Sequence, residues 1–226
     1  MIQMKNIRKV YVTGSVEFEA IKGVDLHIRE REFCALVGPS GSGKSTLMNL
    51  IGCLDVATSG EYLLQGNPVA AMTHNQLADI RNKTIGFVFQ SFNLLPYSTA
   101  EENVEVPLLF AGMGRRERQE RCRFLLERVG LADKMKNRPT EMSGGEMQRV
   151  AIARSLATDP PLVLADEPTG NLDTKTGHAI VDLFHELHSE GRTIIMITHD
   201  PNIAKELPRQ IDIEDGLLVE KFRLAS

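Results

Sequence analysis

Short apolar runs that alternate with segments of helical spacing dominate the pattern of this chain. Almost uninterrupted runs occur at residues 33–37, 85–89, 162–165 and 193–197. Runs of this length are typical of strands buried on both faces of a parallel sheet. Apolar side chains at helical spacing also occur, as at residues 178–191, where Gly191 marks the expected helix end. The pattern therefore predicts an α/β fold.

The first residues of the chain predict antiparallel strands instead. Residues 1–31 alternate between apolar and polar positions and contain a turn signal near Gly14. A further strand is expected at residues 60–69, and a short hairpin near the other end turns at Asp215-Gly216.

The middle of the chain is predicted to be helical. Residues 91–157 contain no clear strand, and the helix predicted from Glu146 runs to about Thr158. We expect residues 91–157 to form a helical subdomain inserted into an α/β core of residues 1–90 and 158–226. The exposed apolar residues near Phe92, Leu94, Leu95 and Tyr97 could form a docking groove for a partner helix.

The composition excludes several classes of protein. The 226 residues are 42% hydrophobic and carry a net charge of −4, so a core is expected and binding to nucleic acid is not. The three cysteines have no metal-like spacing, which favours a reducing compartment. The chain has no signal-peptide pattern at its start and no run near the roughly 18 apolar residues that span a bilayer. We therefore expect a soluble, cytoplasmic protein.

A glycine loop joins the first buried strand to a helical segment and carries the strongest chemical signal. It matches the phosphate-binding pattern G-x-x-x-x-G-K-[S/T] in the strand-loop-helix context that the pattern requires. Its backbone N–H groups and the helix N-terminus favour an anion. Lys44 is expected to bind the β- and γ-phosphates, and the Ser45 hydroxyl to bind Mg²⁺. The predicted nucleotide-binding residues here are Gly38, Pro39, Ser40, Gly41, Ser42, Gly43, Lys44, Ser45 and Thr46.

A second phosphate contact is predicted where the helical segment approaches its last helix. Ser143 and Glu146 have the spacing of a capping box, which by itself explains a helix start. A cap does not require the two intervening glycines, Gly144 and Gly145. These glycines leave N–H groups open to an outside anion, so this helix start is also a candidate phosphate site.

Polar residues follow three of the predicted strands. Asp166 and Glu167 come directly after one strand, Gln90 after another and His199 just after a third. The carboxyl ends of parallel strands form the ligand-binding edge of such sheets. There Asp166 suits Mg²⁺, directly or through water, Glu167 suits a general base for water, and His199 suits a donor to a γ-phosphate oxygen. Gln90 can reach a metal ion or a water, or can serve only as a hydrogen-bonded loop amide.

One aromatic residue is a candidate for contact with a nucleotide base. Tyr11 is expected at the end of the first strand, where its ring could stack on a base. Strands are enriched in aromatic residues, so the pattern also allows an ordinary strand tyrosine.

Taken in chain order, these motifs resemble the nucleotide-binding domains of ABC transporters. The resemblance extends from Tyr11 to His199 and includes a segment at residues 142–148 that looks like the family signature. This segment reads Met-Ser-Gly-Gly-Glu-Met-Gln, whereas the commoner signature begins Leu-Ser-Gly-Gly-Gln. Residues 51–55, 94–96 and 165–173 also look like the branch that includes lipoprotein-releasing and macrolide-export ATPases.

The resemblance implies a fold, an activity and partners. The fold is a P-loop α/β domain with a mixed sheet core, an antiparallel β subdomain and an inserted α-helical subdomain. Tyr11 would stack on adenine, residues 171–173 would form the D-loop, and catalysis would involve Lys44, Gln90, Glu167 and His199. Mg²⁺ would be bound by Ser45, Gln90 and Asp166.

Two copies of the chain would form a homodimer in the presence of ATP. Each ATP would then lie between the glycine loop of one copy and the Ser143 segment of the other. The dimer would lie at the cytoplasmic face of the cell membrane and would power an integral permease subunit or a fused membrane domain.

The motifs leave other outputs open. An ATP-driven regulatory module that signals to an envelope or division complex would need the same residues. A DNA-repair ATPase shares the signature, but no long heptad insertion or basic excess is present.

Overall fold

A computed structural model describes residues Met1 to Glu220 of the chain. These residues form two compact units, one comprising Met1–Asp79 and the chain from Thr193 onward, the other Ile80–Arg192. The strands are Ile2–Thr13 (β1), Val16–Ile28 (β2), Phe33–Val37 (β3), Ser59–Leu64 (β4), Asn67–Pro68 (β5), Ile85–Phe89 (β6), Leu162–Asp166 (β7), Thr193–Ile197 (β8), Arg209–Glu214 (β9) and Leu217–Glu220 (β10). The helices are Lys44–Ile51 (α1), His74–Lys83 (α2), Ala100–Phe110 (α3), Arg115–Arg128 (α4), Gly144–Ser155 (α5), Thr174–Ser189 (α6) and Pro201–Glu206 (α7).

The first unit contains an antiparallel sheet in the order β2-β1-β4-β5. β1 and β2 form the hairpin expected at the start of the chain, with Ile2 opposite Ile28 and Thr13 opposite Val16. Buried and exposed positions alternate at residues 2–5 and 24–28, as the sequence predicts, whereas residues 8–13 and 16–19 are exposed or half-buried. β1 extends beyond Tyr11 to Thr13, two residues farther than expected.

A second group of strands in this unit has the order β10-β9-β3-β8. β3 pairs in parallel with β8 on one side and with β9 on the other, and β10 pairs antiparallel to β9. Residues 33–36 of β3 are all at most 2% exposed, which explains their continuous apolar sequence. The carboxyl end of this buried strand leads directly into the glycine loop.

The second unit consists of helices with a pair of parallel strands. β6 pairs in parallel with β7, and Phe89 lies opposite Asp166. Within this unit α5 packs against α3, α4, α6 and β6. The subdomain predicted at 91–157 lies inside this unit, and its described residues are helical or irregular. The outer limit of the predicted domain, residue 226, lies beyond the described part of the chain.

Several predicted boundaries are wrong by a few residues. α6 begins at Thr174 instead of residue 178, because the Asp173 carboxylate caps it by accepting a hydrogen bond from the backbone N–H of Thr176. α5 runs from Gly144 to Ser155, so both of its predicted ends lie too far along the chain. The strand predicted at 60–69 ends at Leu64 and is followed by the two-residue strand β5.

Candidate nucleotide-binding site

The glycine loop that follows β3 has a backbone conformation suited to binding an anion. Gly41 and Gly43 have φ angles of 79° and 104°, in the left-handed region that glycine adopts without strain. Ser42 is 3% exposed, and its hydroxyl oxygen has no hydrogen-bond partner among the described residues. Buried polar atoms are normally hydrogen-bonded, so an unpartnered hydroxyl inside the loop fits a bound polar ligand.

The wall behind this loop comes from the β9–β10 hairpin. A Cβ atom at Gly38 would lie 2.1 Å from the carbonyl oxygen of Ile213, which leaves room only for glycine. The N–H of Gly216, at the hairpin turn, donates to the carbonyl oxygen of Ser42 at 2.9 Å. The hairpin therefore fixes the loop at two positions.

Lys44 begins α1 and folds back over the loop. Its ammonium group donates to the carbonyl oxygens of Gly38 at 2.8 Å and Pro39 at 2.7 Å. The residue is 9% exposed, and no carboxylate within the described residues forms an ion pair with it. A shielded positive charge that contacts only neutral carbonyls is well suited to attract phosphate oxygens. Ser45, next along the helix, is exposed and so available to a ligand.

Tyr11 and His199 also belong to the first unit. The Tyr11 ring is 38% exposed, and its hydroxyl donates to Asp55 at 2.9 Å. Partial burial raises the pKa of Tyr11, and the Asp55 carboxylate raises it further, while a hydrogen bond with Thr46 opposes the rise. His199 is exposed and follows Thr198, whose N–H donates to Leu36 of β3. His199 therefore lies at the edge of β3 and β8 from which the glycine loop also leaves.

The second unit brings Gln90, Asp166 and Glu167 to one strand edge. Phe89 lies opposite Asp166 in the parallel pair of β6 and β7. The next residues, Gln90 and Glu167, therefore follow the ends of adjacent strands at equivalent positions. Asp166 and Glu167 are half-buried. Glu167 has a φ of 45°, which costs energy in a residue with a side chain. Backbone strain of this kind is concentrated at functional sites, and it favours a specific role for Glu167.

Gly170 and the D-loop residue Asn171 contact Gln90, and the sequence pattern did not predict these contacts. The Asn171 side-chain amide donates to the carbonyl oxygen of Gln90 at 2.9 Å. A Cβ atom at Gly170 would lie 2.6 Å from the terminal nitrogen of Gln90. Because Gly170 has no side chain, it leaves room for the side-chain amide of Gln90. No local pattern marks this contact, because residues 90 and 170 are distant in sequence.

A half-buried arginine, Arg154, supports the segment after Gln90. Phe92 and Asn93 both adopt left-handed conformations, with φ angles of 60° and 49°. The Arg154 guanidinium donates to their carbonyl oxygens, at 2.9 Å to Phe92 and 2.5 Å to Asn93. Burial lowers the pKa of Arg154, yet an arginine remains charged at neutral pH. These charge-assisted bonds stabilise an otherwise costly turn.

The predicted capping box at Ser143 is confirmed. The Glu146 carboxylate accepts from the Ser143 N–H at 2.7 Å, and the Ser143 hydroxyl accepts from the Glu146 N–H at 3.3 Å. The first of these bonds is the main cause of a lowered pKa for Glu146, and Lys134 adds to it. The Ser143 hydroxyl retains its own proton, so it can still donate to a phosphate.

The residues around this capping box belong to the D-loop and to α6. A Cβ atom at Gly144 would lie 3.3 Å from the Leu172 side chain, and one at Gly145 would lie 2.5 Å from Thr176. A side chain at Gly145 would collide with Thr176, whereas one at Gly144 would only make a tight contact with Leu172, so close packing supplies a structural reason mainly for Gly145.

Among the described residues, no group of three or more His, Cys, Asp or Glu side chains could hold a metal ion. In the part of the chain that the structure describes, no helix is both long enough and apolar enough to cross a membrane.

Comparison with known proteins gives a consistent result. Residues 21–170 match the family described as ABC transporter. The chain is 51% identical over 219 residues to the ABC transporter ATP-binding protein YknY of Bacillus subtilis (strain 168), covering 97% of this chain and 95% of that protein. The chain is also 48% identical over 220 residues to the macrolide export ATP-binding/permease protein MacB of Marinobacter nauticus. This match covers 97% of the present chain but only 34% of the longer MacB protein.

Two solved structures are also similar along the whole chain. One is a dimer of the ATP-binding cassette MJ0796 in a post-hydrolysis state with ADP and Pi, with a TM-score of 0.92 and 43% identity. The other is a dimeric structure of MJ0796 described as a bacterial ABC transporter cassette, with a TM-score of 0.92 and 44% identity. Each comparison covers 100% of both chains.

Proposed function

The chain belongs to the ABC transporter family as an ATP-binding and ATP-hydrolysing subunit, and from this premise we propose that it powers export or extraction of a lipoprotein, peptide or macrolide-like cargo. The observation that carries the ATPase function is the family match, since it includes the glycine loop and the two carboxylates at the end of β7, Asp166 and Glu167. Relatives named for macrolide export, 46–48% identical, support the kind of cargo.

We propose that the first unit binds ATP through its base and its phosphates. Tyr11 stacks on the adenine, while the loop N–H groups, Ser42 and Lys44 bind the phosphate oxygens. His199 donates a hydrogen bond to the γ-phosphate. The left-handed glycines and the uncompensated ammonium charge described above support these roles.

The second unit would supply the groups that act on water. Glu167 accepts a hydrogen bond from the attacking water, and its strained backbone sets the direction of the carboxylate. The water oxygen forms a bond to the γ-phosphorus as the bond from that phosphorus to the bridging oxygen of ADP breaks. One water proton is released, and the products are ADP and phosphate. Gln90, held by Gly170 and Asn171, helps to orient this water.

Mg²⁺ is the proposed cofactor. Ser45 in the first unit, and Gln90 and Asp166 in the second, each offer an oxygen ligand. An oxygen donor set with few carboxylates suits Mg²⁺, which retains water and binds substrate phosphates as well. When bound, the ion would neutralise charge on the phosphates.

Dimerisation is proposed as the step coupled to ATP. The Ser143 hydroxyl and the N-terminus of α5 would contact the phosphates bound by a second copy of the chain. Support comes from the dimeric MJ0796 cassettes, which are similar over their full length. A permease subunit or a fused membrane domain would receive the motion, and this places the chain at the cytoplasmic face of the cell membrane.

The ATPase proposal is tested by Glu167→Gln. We expect ATP binding to be retained and phosphate release to fall by at least about 100-fold, because the carboxylate that orients water is lost. Light scattering with MgATP should then show a stable dimer. Glu186→Gln, an exposed change on α6 with the same loss of charge, should behave like the wild type. Rapid turnover by Glu167→Gln would refute the role of Glu167, and a strictly monomeric variant would refute the dimer.

The cargo is tested in the producing bacterium. Replacing the chromosomal copy by the Glu167→Gln form should increase sensitivity to macrolides if these compounds are exported. Accumulation of unprocessed lipoprotein in the cell membrane would instead indicate lipoprotein extraction. If neither macrolide sensitivity nor the amount of unprocessed lipoprotein changes, macrolides and lipoproteins are excluded as cargo, and peptides remain.

A further inference from the structure

The segment that follows α1 is hydrogen-bonded along the outer half of β1. The N–H of Thr58 donates to the carbonyl oxygen of Arg8 at 2.8 Å, and the N–H of Val10 donates to the Thr58 hydroxyl at 3.0 Å. Lys9 reaches the same segment by donating to the carbonyl oxygen of Val56 at 2.8 Å. The β1–β2 register shifts between Lys9 and Val10, so the strand is irregular at this point.

Lys9 and Asp55 enclose the Tyr11 ring from two directions. The Lys9 ammonium lies 4.9 Å from the ring centroid, within cation–π range. It also donates to one Asp55 oxygen at 2.5 Å, while the other Asp55 oxygen accepts from the Tyr11 hydroxyl at 2.9 Å. One face of the ring is therefore covered by the ammonium group, and a base can stack only on the opposite face.

This arrangement is shielded and lies mostly out of solvent. The side chains of Lys9 and Asp55 are 12% and 30% exposed, so their attraction is screened less than that of a surface pair. Burial acts to raise the pKa of Asp55, but hydrogen bonds from Lys9, Tyr11 and the Val56 N–H leave it lowered. The carboxylate that fixes the phenol is thus ionised at neutral pH.

Helix α1 connects this cluster to the phosphate loop. Lys44 begins the helix within the loop, and Asp55 follows its other end. The N–H groups of Leu54 and Asp55 both donate to the carbonyl oxygen of Asn49, at 2.9 and 3.2 Å. A helix of eight residues is about 12 Å long, so the base cluster and the phosphate loop occupy the two ends of one short, rigid element.

We propose that Lys9 and Asp55 are positioning residues that hold the Tyr11 ring ready for a purine base. The inference rests on the proposed role of Tyr11 in binding ATP. Because the ring is already immobilised, the Tyr11 side chain loses less conformational entropy when the nucleotide binds. The pair sets affinity for the base and leaves binding of the phosphates unchanged.

The test compares ATP with inorganic triphosphate, which has no base. Dissociation constants for both, with Mg²⁺, are measured by calorimetry for the wild type, Lys9→Met and Asp55→Asn. We expect ATP affinity to fall about five- to tenfold, which corresponds to about 1 to 1.4 kcal/mol. Triphosphate affinity should stay within twofold, and steady-state kinetics should show a raised KM at unchanged kcat. Lys5→Met, an exposed change on the same strand, serves as the control and should alter neither affinity.

Two results would overturn the inference. Equal losses for ATP and triphosphate in both variants would show that the pair only supports the fold. Unchanged ATP affinity in Lys9→Met would show that the cation does not position the ring. Because this variant leaves the Asp55 carboxylate without its cation, thermal unfolding of the same samples checks that the chain is still folded. A wild type that hydrolyses no ATP would refute the proposed function itself, independently of these comparisons.

Discussion

Gly170→Ala tests whether the position of Gln90 controls turnover. The new Cβ atom would lie 2.6 Å from the terminal nitrogen of Gln90 and 3.3 Å from the carbon that bears it. Ordinary contact begins at 3.4 Å, so the amide must move by about 0.8 Å. The φ of Gly170 is not in the left-handed region, and the substitution therefore adds no backbone strain of that kind.

The expected effect is large on catalysis and small on stability. Displacing a catalytic group by about 1 Å can cost about 100-fold in rate, so we expect kcat to fall about 10- to 100-fold. Only the end of a flexible side chain must move, and an off-rotamer side chain costs about 0.5–1.5 kcal/mol. For a domain of this size that lowers Tm by about 1–6 °C.

The assay is phosphate release at saturating MgATP, with thermal unfolding and ATP binding measured on the same samples. Gly177→Ala is the matched control, because its Cβ atom would lie at an ordinary 3.5 Å from Thr169. As a glycine inside α6 it should gain about 1 kcal/mol of stability on replacement and keep full activity. Full turnover by folded Gly170→Ala would refute the reasoning about Gln90.

Three further predictions concern the other motifs. Gly38→Ala should destabilise the fold by about 3 kcal/mol, because the new methyl group would collide with the β9 backbone carbonyl, and a wild-type Tm would contradict this close approach. Ser143→Ala and Thr99→Ala each remove a helix cap, of α5 and α3 respectively, and each should lower the free energy of unfolding by about 1 kcal/mol. When either change is combined with Glu167→Gln, only Ser143→Ala should weaken the ATP-dependent dimer. The pKa of Glu146 is lowered in the folded chain, below the value of about 4.3 that a glutamate has in the unfolded chain. The charged carboxylate therefore stabilises the fold at pH values above the unfolded pKa. This contribution is lost as the pH falls through the folded pKa. Denaturant melts from pH 6 to pH 3 should therefore show a smaller pH dependence for Glu146→Gln, and parallel curves would exclude the capping carboxylate as an acid-sensitive group.

Local sequence patterns were sufficient to predict most of the strands and the helix cap at Ser143. β6 and β8 begin and end at the predicted residues, because each is a short apolar run between polar segments. The capping box at Ser143 forms as predicted, since a cap needs only residues three positions apart. The boundary of α6 was missed because its cap, Asp173, had been interpreted only as a loop residue.

The sequence by itself determined the strand-loop-helix unit that suits a phosphate, because its glycines, lysine and helix start are all within one short segment. Only the tertiary structure decided what supports that unit: the β9–β10 hairpin behind Gly38, the Asp55 carboxylate on Tyr11, and Gly170 beside Gln90. These contacts join residues separated by 44 to 175 positions. The strand order brings such residues together, and no local periodicity records which distant backbone will occupy the space beside a glycine.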